Sequence, residues 1–431
     1  MTTFAPRTAD EVTEAIRWAV SAGEGFDVVA GGSKHSLGRP VDAPHRLDVS
    51  ALSGVVSYEP AELILTAQPG TSREEIQALL AGHAQCLAFE PPDLTALLRT
   101  VDPAAGGTTE TRGTLGGIVA TGFSGPRRLK AGAVRDHVLG IAGVSGRAEF
   151  FVGGGKVVKN VTGYDIPKLM TGSHGTLAVL TEITLKVVPA PEDVRTLIVH
   201  GLSARDAVIA MTSILQTAID VSAACHVPVG LATPTASETD SATAFRLEGF
   251  RPSVEFRLTR LRESVERTGT LAVLDREASV AFWRDVRDVR PFADGDDGIV
   301  WRLSVPPAQG AVVLERIERS VPGAQAFLDW GGGLIWVRLS GARGAKTVGA
   351  GGTKSETSGS AAEDPARSQL VRAALGETGG HATLMRAPVD VRAAVEVFQP
   401  QAAGLAALSK RVKAQFDPAR VLNPGRMYAG V

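Results

Sequence analysis

The first 100 residues alternate between helix-type and strand-type hydrophobic patterns. Thr8 and Glu11 form a Ser/Thr-x-x-Glu capping box, and the apolar residues Val12 and Ile16 follow at helical spacing. A short buried strand ending in a glycine turn is indicated next by FDVVAGG, and a second capped helix begins at Ser72. This alternation predicts an α/β arrangement that contains parallel strand pairs.

The pattern changes near Leu115. Residues 115–189 contain much glycine, little helical periodicity and several β-like runs, which predicts a mainly antiparallel sheet. After Pro189 a second alternation of helices and strands predicts an α+β domain over 191–400. It is interrupted by a Gly/Ser-rich stretch at about 341–368, which we expect to be a mobile loop. Residues 401–431 begin with a helix that places four apolar residues on one face: Leu405, Leu408, Val412 and Phe416.

Composition narrows the classes of function. The chain of 431 residues carries 45 Lys+Arg against 46 Asp+Glu, a balance that disfavours binding to nucleic acid or to an anionic membrane. Its 2 cysteines are too few for a disulfide framework, a four-cysteine zinc site or an iron–sulfur cluster within the chain. There is no signal-peptide pattern and no apolar run of about 20 residues. We therefore expect a cytoplasmic protein, which could still dock at the inner face of a membrane through partners.

Three glycine-rich segments could carry chemistry. They are GGSKHS from Gly31, GTLGG from Gly113 and the long run GKVVKNVTGYDIPKLMTGSHGTLAVL from Gly155. Glycine lets the backbone approach a ligand closely, and successive amides in such turns can bind an anion. Each segment alone could equally be an ordinary turn.

Other chemistries lack their motifs. There is no Gly-x-Gly-x-x-Gly fingerprint of a Rossmann site. GARGAKT and GAGGTKS miss the P-loop pattern at Ala345 and Thr353. His-Glu-x-x-His and Gly-x-Ser-x-Gly are also absent, and no metal site is supported.

The ordered set of segments resembles the vanillyl-alcohol oxidase family, whose FAD-binding domain is called PCMH-type. FEPPD, GTLGGIVATGFSGPRR, AGAVRDHVLG, GGHATLMR and FDPARVLNPGRM, together with the third glycine-rich segment, are most similar to the FAD-binding subunits of glycolate oxidase complexes. The resemblance covers nearly the whole chain except two inserted loops, near 100–112 and 341–368. It implies an α+β fold: a PCMH-type FAD-binding domain (1–190) of two α/β subdomains, an α+β cap domain (191–400), and a C-terminal helix and tail (401–431) that return to the FAD domain.

The resemblance also implies which residues contact FAD. The first loop would wrap the pyrophosphate, the second and third segments would line the flavin and adenine, and the C-terminal tail would return towards the flavin. The implied cofactor-binding residues are Gly31, Gly32, Ser33, Lys34, His35, Ser36, Gly113, Thr114, Leu115, Gly116, Gly117, Ala120, Thr121, Arg135, Asp136, Gly172, Ser173, Gly175, Thr176, Leu177 and Asn423. Covalent attachment in this family usually involves Gly-Gly-His in the first loop. Here Ser33 and Lys34 displace His35, so we expect noncovalent FAD.

Family enzymes oxidise 2-hydroxy acids, which requires a base for the hydroxyl proton and a cation for the carboxylate. The best candidates in this sequence are His381 and Arg386, with Arg392 and His174 as further possibilities. Two functions stay open, beside a third reading as a scaffold that has lost its flavin. The chain could be the FAD-binding subunit of a glycolate oxidase complex, with a second flavoprotein subunit and an iron–sulfur subunit as partners. It could instead be an autonomous FAD-dependent dehydrogenase for a 2-hydroxy acid such as D-lactate.

Overall fold

The computed structural model describes residues 1–98, 112–155, 163–231, 240–293, 298–340, 343–348, 354–358 and 363–431. Its contacts divide the chain into two compact units. Unit 1 contains Met1–Ala190 and Pro400–Val431, and unit 2 contains Pro191–Gln399. Residues 100–111 of the predicted insertion at 100–112 lie outside the described residues. Residues 156–162 of the third glycine-rich segment do so as well.

The elements of the first 190 residues are short, and glycine or proline separates many of them. In chain order they are β1 (Thr2–Phe4), α1 (Ala9–Ala22), β2 (Phe26–Val29), β3 (His45–Asp48), β4 (Val55–Glu59), β5 (Ile64–Ala67), α2 (Arg73–Ala81), β6 (Gln85–Cys86), α3 (Leu115–Thr121), α4 (Arg128–Ala131), β7 (Val138–Ser145), β8 (Phe150–Gly154), α5 (Ile166–Met170), β9 (Ala178–Lys186) and β10 (Val188–Pro189).

The remaining elements are longer on average. They are β11 (Asp193–His200), α6 (Ala204–Leu215), β12 (Ala223–Val227), β13 (Ala242–Gly249), α7 (Arg251–Val265), β14 (Thr270–Leu274), α8 (Arg276–Arg287), α9 (Arg290–Ala293), β15 (Ile299–Ser304), α10 (Gly310–Ser320), β16 (Gln325–Asp329), β17 (Leu334–Leu339), β18 (Arg343–Val348), β19 (Lys354–Ser358), α11 (Glu363–Ala373), β20 (His381–Arg386), α12 (Val389–Ala394) and α13 (Ala403–Phe416).

Unit 1 combines a small parallel sheet with a larger antiparallel one. The parallel sheet has the order β1-β3-β2, and the antiparallel sheet has the order β4-β5-β9-β7-β8. The N-cap half of each predicted capping box is confirmed, since Thr8 accepts from the Glu11 amide and Ser72 accepts from the Glu75 amide. The Glu11 carboxylate accepts from the Arg7 amide. One core packs α1 against β2, β3 and Val144. A second core packs α2 and α3 against the antiparallel sheet.

Residues 115–189 form the predicted antiparallel strands, but they also contain helices. The GTLGGIVATG stretch, in a region with little predicted helix, forms α3. Thr114 caps this helix by accepting from the Gly117 amide, and Gly122 ends it in a left-handed conformation. These end signals, rather than hydrophobic periodicity, specify the helix.

Unit 2 is an eight-stranded antiparallel sheet with helices, in the strand order β14-β11-β13-β12-β16-β17-β15-β20. The runs TAFRLEGF, IVWRLSV, GAQAFLDW and LIWVRLS form β13, β15, β16 and β17, and the prediction of an α+β fold is confirmed. Within the stretch predicted to be a loop, β18 and β19 pair with each other and α11 begins at Glu363.

Helix α13 belongs to unit 1, but its apolar face is unevenly buried. Val412 and Phe416 pack against the second core, whereas Leu405 and Leu408 are 53% and 48% exposed. In the part of the chain that the structure describes, no helix is long and apolar enough to cross a membrane.

Candidate functional site

Unit 1 contains a partly open cavity of about 120 Å³. Its walls come from the exit of β2 and the first glycine-rich loop, from α3, from the loop before β9, and from the C-terminal tail. The lining residues are Val28, Val29, Ala30, Gly31, Gly32, Ser33, Lys34, His35, Val49, Pro69, Arg112, Thr114, Gly116, Gly117, Ala120, Thr121, His174, Gly175, Ala178, Val179, Leu180, Asn423 and Arg426.

The first glycine-rich loop is a compact turn. The amide of His35 donates to the carbonyl of Gly32, and the amide of Leu37 donates to that of Lys34. A Cβ atom on Gly31 would lie 2.2 Å from the carbonyl oxygen of Arg112, so a side chain at this position would push the two segments apart. Glycine is therefore required here by packing as well as by any ligand.

The second wall is formed by α3, whose glycines have different surroundings. A Cβ atom on Gly116 would lie 2.7 Å from the Pro69 side chain, so this glycine permits close packing against the protein. A Cβ atom on Gly117 would keep ordinary distances, 3.4 Å from Thr114 Oγ1 and 3.8 Å from Lys34 Nζ. Gly117 thus leaves space on the cavity side, close to the Lys34 ammonium.

The third wall joins the loop before β9 to the C-terminal tail. Asn423, at φ 43°, accepts a hydrogen bond from the Val28 amide and donates from Nδ2 to the His174 carbonyl, both at 2.8 Å. A Cβ atom on Gly175, at φ 69°, would lie 2.8 Å from Asn423 Nδ2. The Asn423 side chain therefore connects β2 to the loop that contains Gly175. Its amide group forms hydrogen bonds to the protein at both the oxygen and the nitrogen.

The cavity has a cationic lining. Lys34, Arg112 and Arg426 line it, and none of the described lining residues is a carboxylate. Burial lowers the pKa of Lys34 to about 8, and nearby Asp93 partly opposes this effect. Burial, with the charge of Arg426, lowers the pKa of His174 to about 3, so its imidazole is neutral at pH 7.

About half of the residues that the resemblance assigned to FAD line this cavity. They are Gly31, Gly32, Ser33, Lys34, His35, Thr114, Gly116, Gly117, Ala120, Thr121, Gly175 and Asn423. Nine others do not line it: Ser36, Gly113, Leu115, Arg135, Asp136, Gly172, Ser173, Thr176 and Leu177.

Contacts within the protein account for several residues outside the lining. Ser36 Oγ donates to the Leu98 carbonyl at 2.7 Å, and Leu115 is fully buried in the second core. Arg135 and Asp136 lie on an exposed 3₁₀ turn, where Asp136 accepts from the Ala133 amide. Ser36, Leu115 and Asp136 therefore stabilise the protein through contacts outside the cavity.

Sequence reasoning missed part of the lining, in particular the end of β2, the start of β9 and Arg426. Val28–Ala30 and Ala178–Leu180 carry no motif beyond their strand pattern. Arg426 did carry a signal, because it lies in the same LNPGRM segment as Asn423. Its main contact is with the carboxylate of Asp27, which is 399 positions away in sequence.

The two catalytic candidates of unit 2 lie on β20. His381 pairs with Ser304 of β15 and Arg386 pairs with Val300, with a register shift between Val300 and Trp301. Five positions apart on a regular strand, His381 and Arg386 would face opposite ways. The bulge in β20 returns Arg386 to the face of His381.

The two side chains have different surroundings. His381 is exposed, whereas Arg386 Nε donates to the Gly298 carbonyl at 2.8 Å and Nη1 donates to the Phe292 carbonyl at 3.0 Å. These two bonds fix the orientation of the guanidinium. Arg392 is buried on α12.

The residues of the cavity fit FAD. Lys34 and Arg112, with no carboxylate among the described lining residues, suit a diphosphate, and open backbone at Gly117 permits close approach of a ligand. The apolar stretches at Val28–Ala30 and Ala178–Leu180 suit flat aromatic rings.

Comparisons with known proteins agree with this fit. The family profile for an FAD binding domain matches residues 2–151. The glycolate oxidase subunit GlcE of Escherichia coli K12 is 32% identical over 416 residues, which cover 96% of each chain. A D-lactate dehydrogenase of Anaerostipes hadrus is 33% identical over 153 residues, which cover 36% of this chain and 29% of that enzyme.

The fold also has a match among solved structures. The structure of p-cresol methylhydroxylase with substrate bound superposes with a TM-score of 0.69 at 12% identity, covering 100% of this chain and 88% of that one. At this level of identity the similarity concerns the fold alone, which is that of PCMH-type FAD-binding proteins. The similarity to GlcE, at 32% identity over nearly the full length of both chains, shows more than the fold. The chain belongs to the family of the glycolate oxidase subunit GlcE.

Proposed function

We propose that this chain is the FAD-binding subunit of a glycolate oxidase complex. It would take part in the oxidation of glycolate to glyoxylate and in electron transfer to partner subunits. The observation that carries the proposal is the cationic, glycine-walled cavity in a chain that matches a glycolate oxidase subunit over 96% of its length. The cavity explains why a chain of this family would bind FAD, and the family indicates the oxidation.

Lys34 would hold the diphosphate of FAD, with Gly31, Gly32 and Gly117 allowing close backbone approach. When bound, FAD would accept the two electrons released by the alcohol. We propose noncovalent binding, because His35 is displaced from the usual attachment position. The structure supports this, since His35 Nε2 lies 2.8 Å from the Asp27 carboxylate and is engaged there.

For catalysis by this chain, we propose His381 and Arg386. The exposed His381 imidazole would take the hydroxyl proton of the 2-hydroxy acid, and the Arg386 guanidinium would attract its carboxylate. They occupy the two ends of β20, and the pairing with β15 places them on one face of that strand.

The electrons must then leave the chain. Cys86 and Cys225 cannot hold an iron–sulfur cluster, which requires about four ligands. We propose that a second flavoprotein subunit and an iron–sulfur subunit accept the electrons. The complex would be cytoplasmic and would associate with the inner face of the membrane through these partners.

The first experiment is an anaerobic visible spectrum of the purified chain reconstituted with FAD, before and after addition of glycolate. A flavin spectrum shows cofactor binding, and acid precipitation that releases the flavin into the supernatant shows noncovalent attachment. Failure to bind FAD would overturn the proposed function. A flavin that stays oxidised alone but bleaches with the co-expressed partner subunits supports the subunit assignment.

Bleaching of the chain alone by glycolate would show that it catalyses the reaction itself. Bleaching by D-lactate but not by glycolate would favour an autonomous D-lactate-type dehydrogenase. In either case His381→Asn should slow bleaching by about 100-fold or more, the usual contribution of a general base. His83→Asn changes another exposed histidine and serves as the control. Equal rates for both variants would remove His381 from the catalytic site.

A further inference from the structure

Arg426 connects the C-terminal tail to the first glycine-rich loop. Its side chain is 8% exposed, and its Nη1 lies 3.3 Å from Asp27 Oδ1 while Nη2 donates to the His35 carbonyl at 3.1 Å. The guanidinium therefore joins a buried carboxylate at the start of β2 to the backbone of the loop. A planar group with several fixed donors is well suited to such a bridge.

A second contact joins the same two segments through the backbone. The amide of Arg39 donates to the Arg426 carbonyl at 2.9 Å. Gly38, at φ 89°, lies so close that a Cβ atom would approach this carbonyl oxygen to 3.0 Å and Arg426 Cγ to 3.1 Å. The end of the loop is thus shaped around Arg426.

Asp27 completes the arrangement. Its side chain is 4% exposed and faces three basic side chains: His35 Nε2 at 2.8 Å, Arg426 Nη1 at 3.3 Å and Arg46 Nη2 at 3.4 Å. His35 and Arg426 both belong to, or contact, the glycine-rich loop, whereas Arg46 lies on β3 and does not line the cavity. The Asp27 carboxylate therefore contacts the loop directly through His35 and indirectly through Arg426.

We propose that Arg426 is a positioning residue for FAD. By holding the His35 carbonyl and Gly38, it sets the conformation of the Gly31–Ser36 turn, and so the direction in which the turn presents its amides and the Lys34 ammonium to the diphosphate. This inference rests on the proposed FAD site. It makes the C-terminal tail part of the cofactor site even though it is separated from the loop by nearly the whole chain.

The test is the Kd of the full-length protein for FAD, measured by titration, together with the melting temperature of the FAD-free protein. Arg426→Gln should weaken FAD binding about tenfold, as expected for loss of a charged hydrogen-bonding group. Arg426→Lys, which keeps the charge but cannot bridge both partners, should recover part of the loss. Gly38→Ala, which alters the same contact from the loop side without changing charge, should weaken binding in the same direction.

Arg46→Gln is the matched control, because it removes a different cation from the same carboxylate. It should lower the melting temperature while changing the Kd for FAD less than twofold. Equal Kd values for Arg426→Gln and Arg46→Gln would overturn the positioning role. A Kd of Arg426→Gln that equals the wild-type Kd within measurement error would also overturn it. Failure of the wild-type protein to bind FAD would instead overturn the proposed function.

Discussion

Asn423 shows how much of the site depends on the hydrogen-bonding chemistry of one residue. Its side chain accepts from the Val28 amide and donates to the His174 carbonyl. In Asn423→Asp, a carboxylate oxygen would replace the donor and face the His174 carbonyl. We expect the free energy of unfolding to fall by about 2–3 kcal/mol, because a buried acceptor would lose its partner beside a charge. Urea denaturation measures the change.

Asn423→Ala is the comparison for that substitution. It removes both hydrogen bonds but introduces no charge, so the Asp variant should be no more stable than the Ala variant. An Asp variant that is more stable than the Ala variant would contradict the assigned direction of the amide.

His174 makes the stability of unit 1 depend on pH. Its pKa is about 3 in the folded chain, against an ordinary value near 6.5. Above pH 6.5 the imidazole is neutral in both states. Below pH 6.5 only the unfolded chain takes up the proton, so stability falls as the pH decreases towards 3.

We expect His174 to account for a loss of about 2 kcal/mol in the free energy of unfolding between pH 7 and pH 5. His174→Asn, which tolerates the positive φ of 54°, should remove that part of the pH dependence. Urea denaturation at pH 7, 6 and 5 measures it, with the exposed His83→Asn as control. Parallel pH profiles for wild type and His174→Asn would mean that folding does not lower the pKa of His174.

Among single residues, the sequence predicted those that stand in short local sequence patterns. Gly31, Gly32 and Gly117 stand in short patterns typical of close backbone approach, and the structure places them at the cavity. The contact between Arg426 and Asp27 could not be predicted, because no local pattern links positions 399 apart. Arg135 and Asp136 followed from the resemblance alone, and the structure places them outside the cavity lining.

Among the elements, α13 is anchored by its last turns. Lys413 Nζ is buried and contacts Asp417 Oδ2 at 2.8 Å, the Thr176 carbonyl at 2.6 Å and the Leu422 carbonyl at 2.9 Å. Lys413→Met would leave Asp417 as a buried carboxylate without its ammonium partner. We expect a loss of about 3–5 kcal/mol in the free energy of unfolding.

Leu408→Ala gives the contrast on the same helix. Leu408 is 48% exposed, so its truncation should change the free energy of unfolding by less than about 0.5 kcal/mol. Thermal or urea denaturation of both variants tests the difference. A larger effect for Leu408→Ala than for Lys413→Met would mean that the apolar face, rather than the buried ion pair, anchors the helix.

The elements that the sequence predicted well have their signals close together in the chain. The N-caps at Thr8 and Ser72 and the alternating strands of unit 2 are examples. α3 was harder to predict because its glycines and β-branched residues disfavour a helix, and packing of Gly116 against Pro69 compensates. The bulge in β20 could not be predicted either, since it depends on pairing with β15.

At the scale of the whole molecule, the chain leaves unit 1 at Ala190 and re-enters it at Pro400. The resemblance, rather than local pattern, indicated this return, because hydrophobic periodicity shows that α13 is amphipathic but not which domain it joins. The re-entering segment supplies Asn423 and Arg426 to the cavity. Unit 1 is therefore incomplete without the last residues of the chain, and binding at its cavity depends on both ends of the sequence.

This organisation leads to an expectation for the distribution of stability. Every residue that lines the cavity belongs to unit 1, so FAD at about 100 times its Kd should stabilise that unit by about 2.7 kcal/mol through mass action. Hydrogen exchange followed by mass spectrometry, with and without FAD, can compare peptides from the two units. We expect slower exchange in peptides of β2, α3 and α13, and little change in β11–β17. Equal protection of both units would contradict this, because it would require the whole chain to open as one cooperative unit rather than unit by unit.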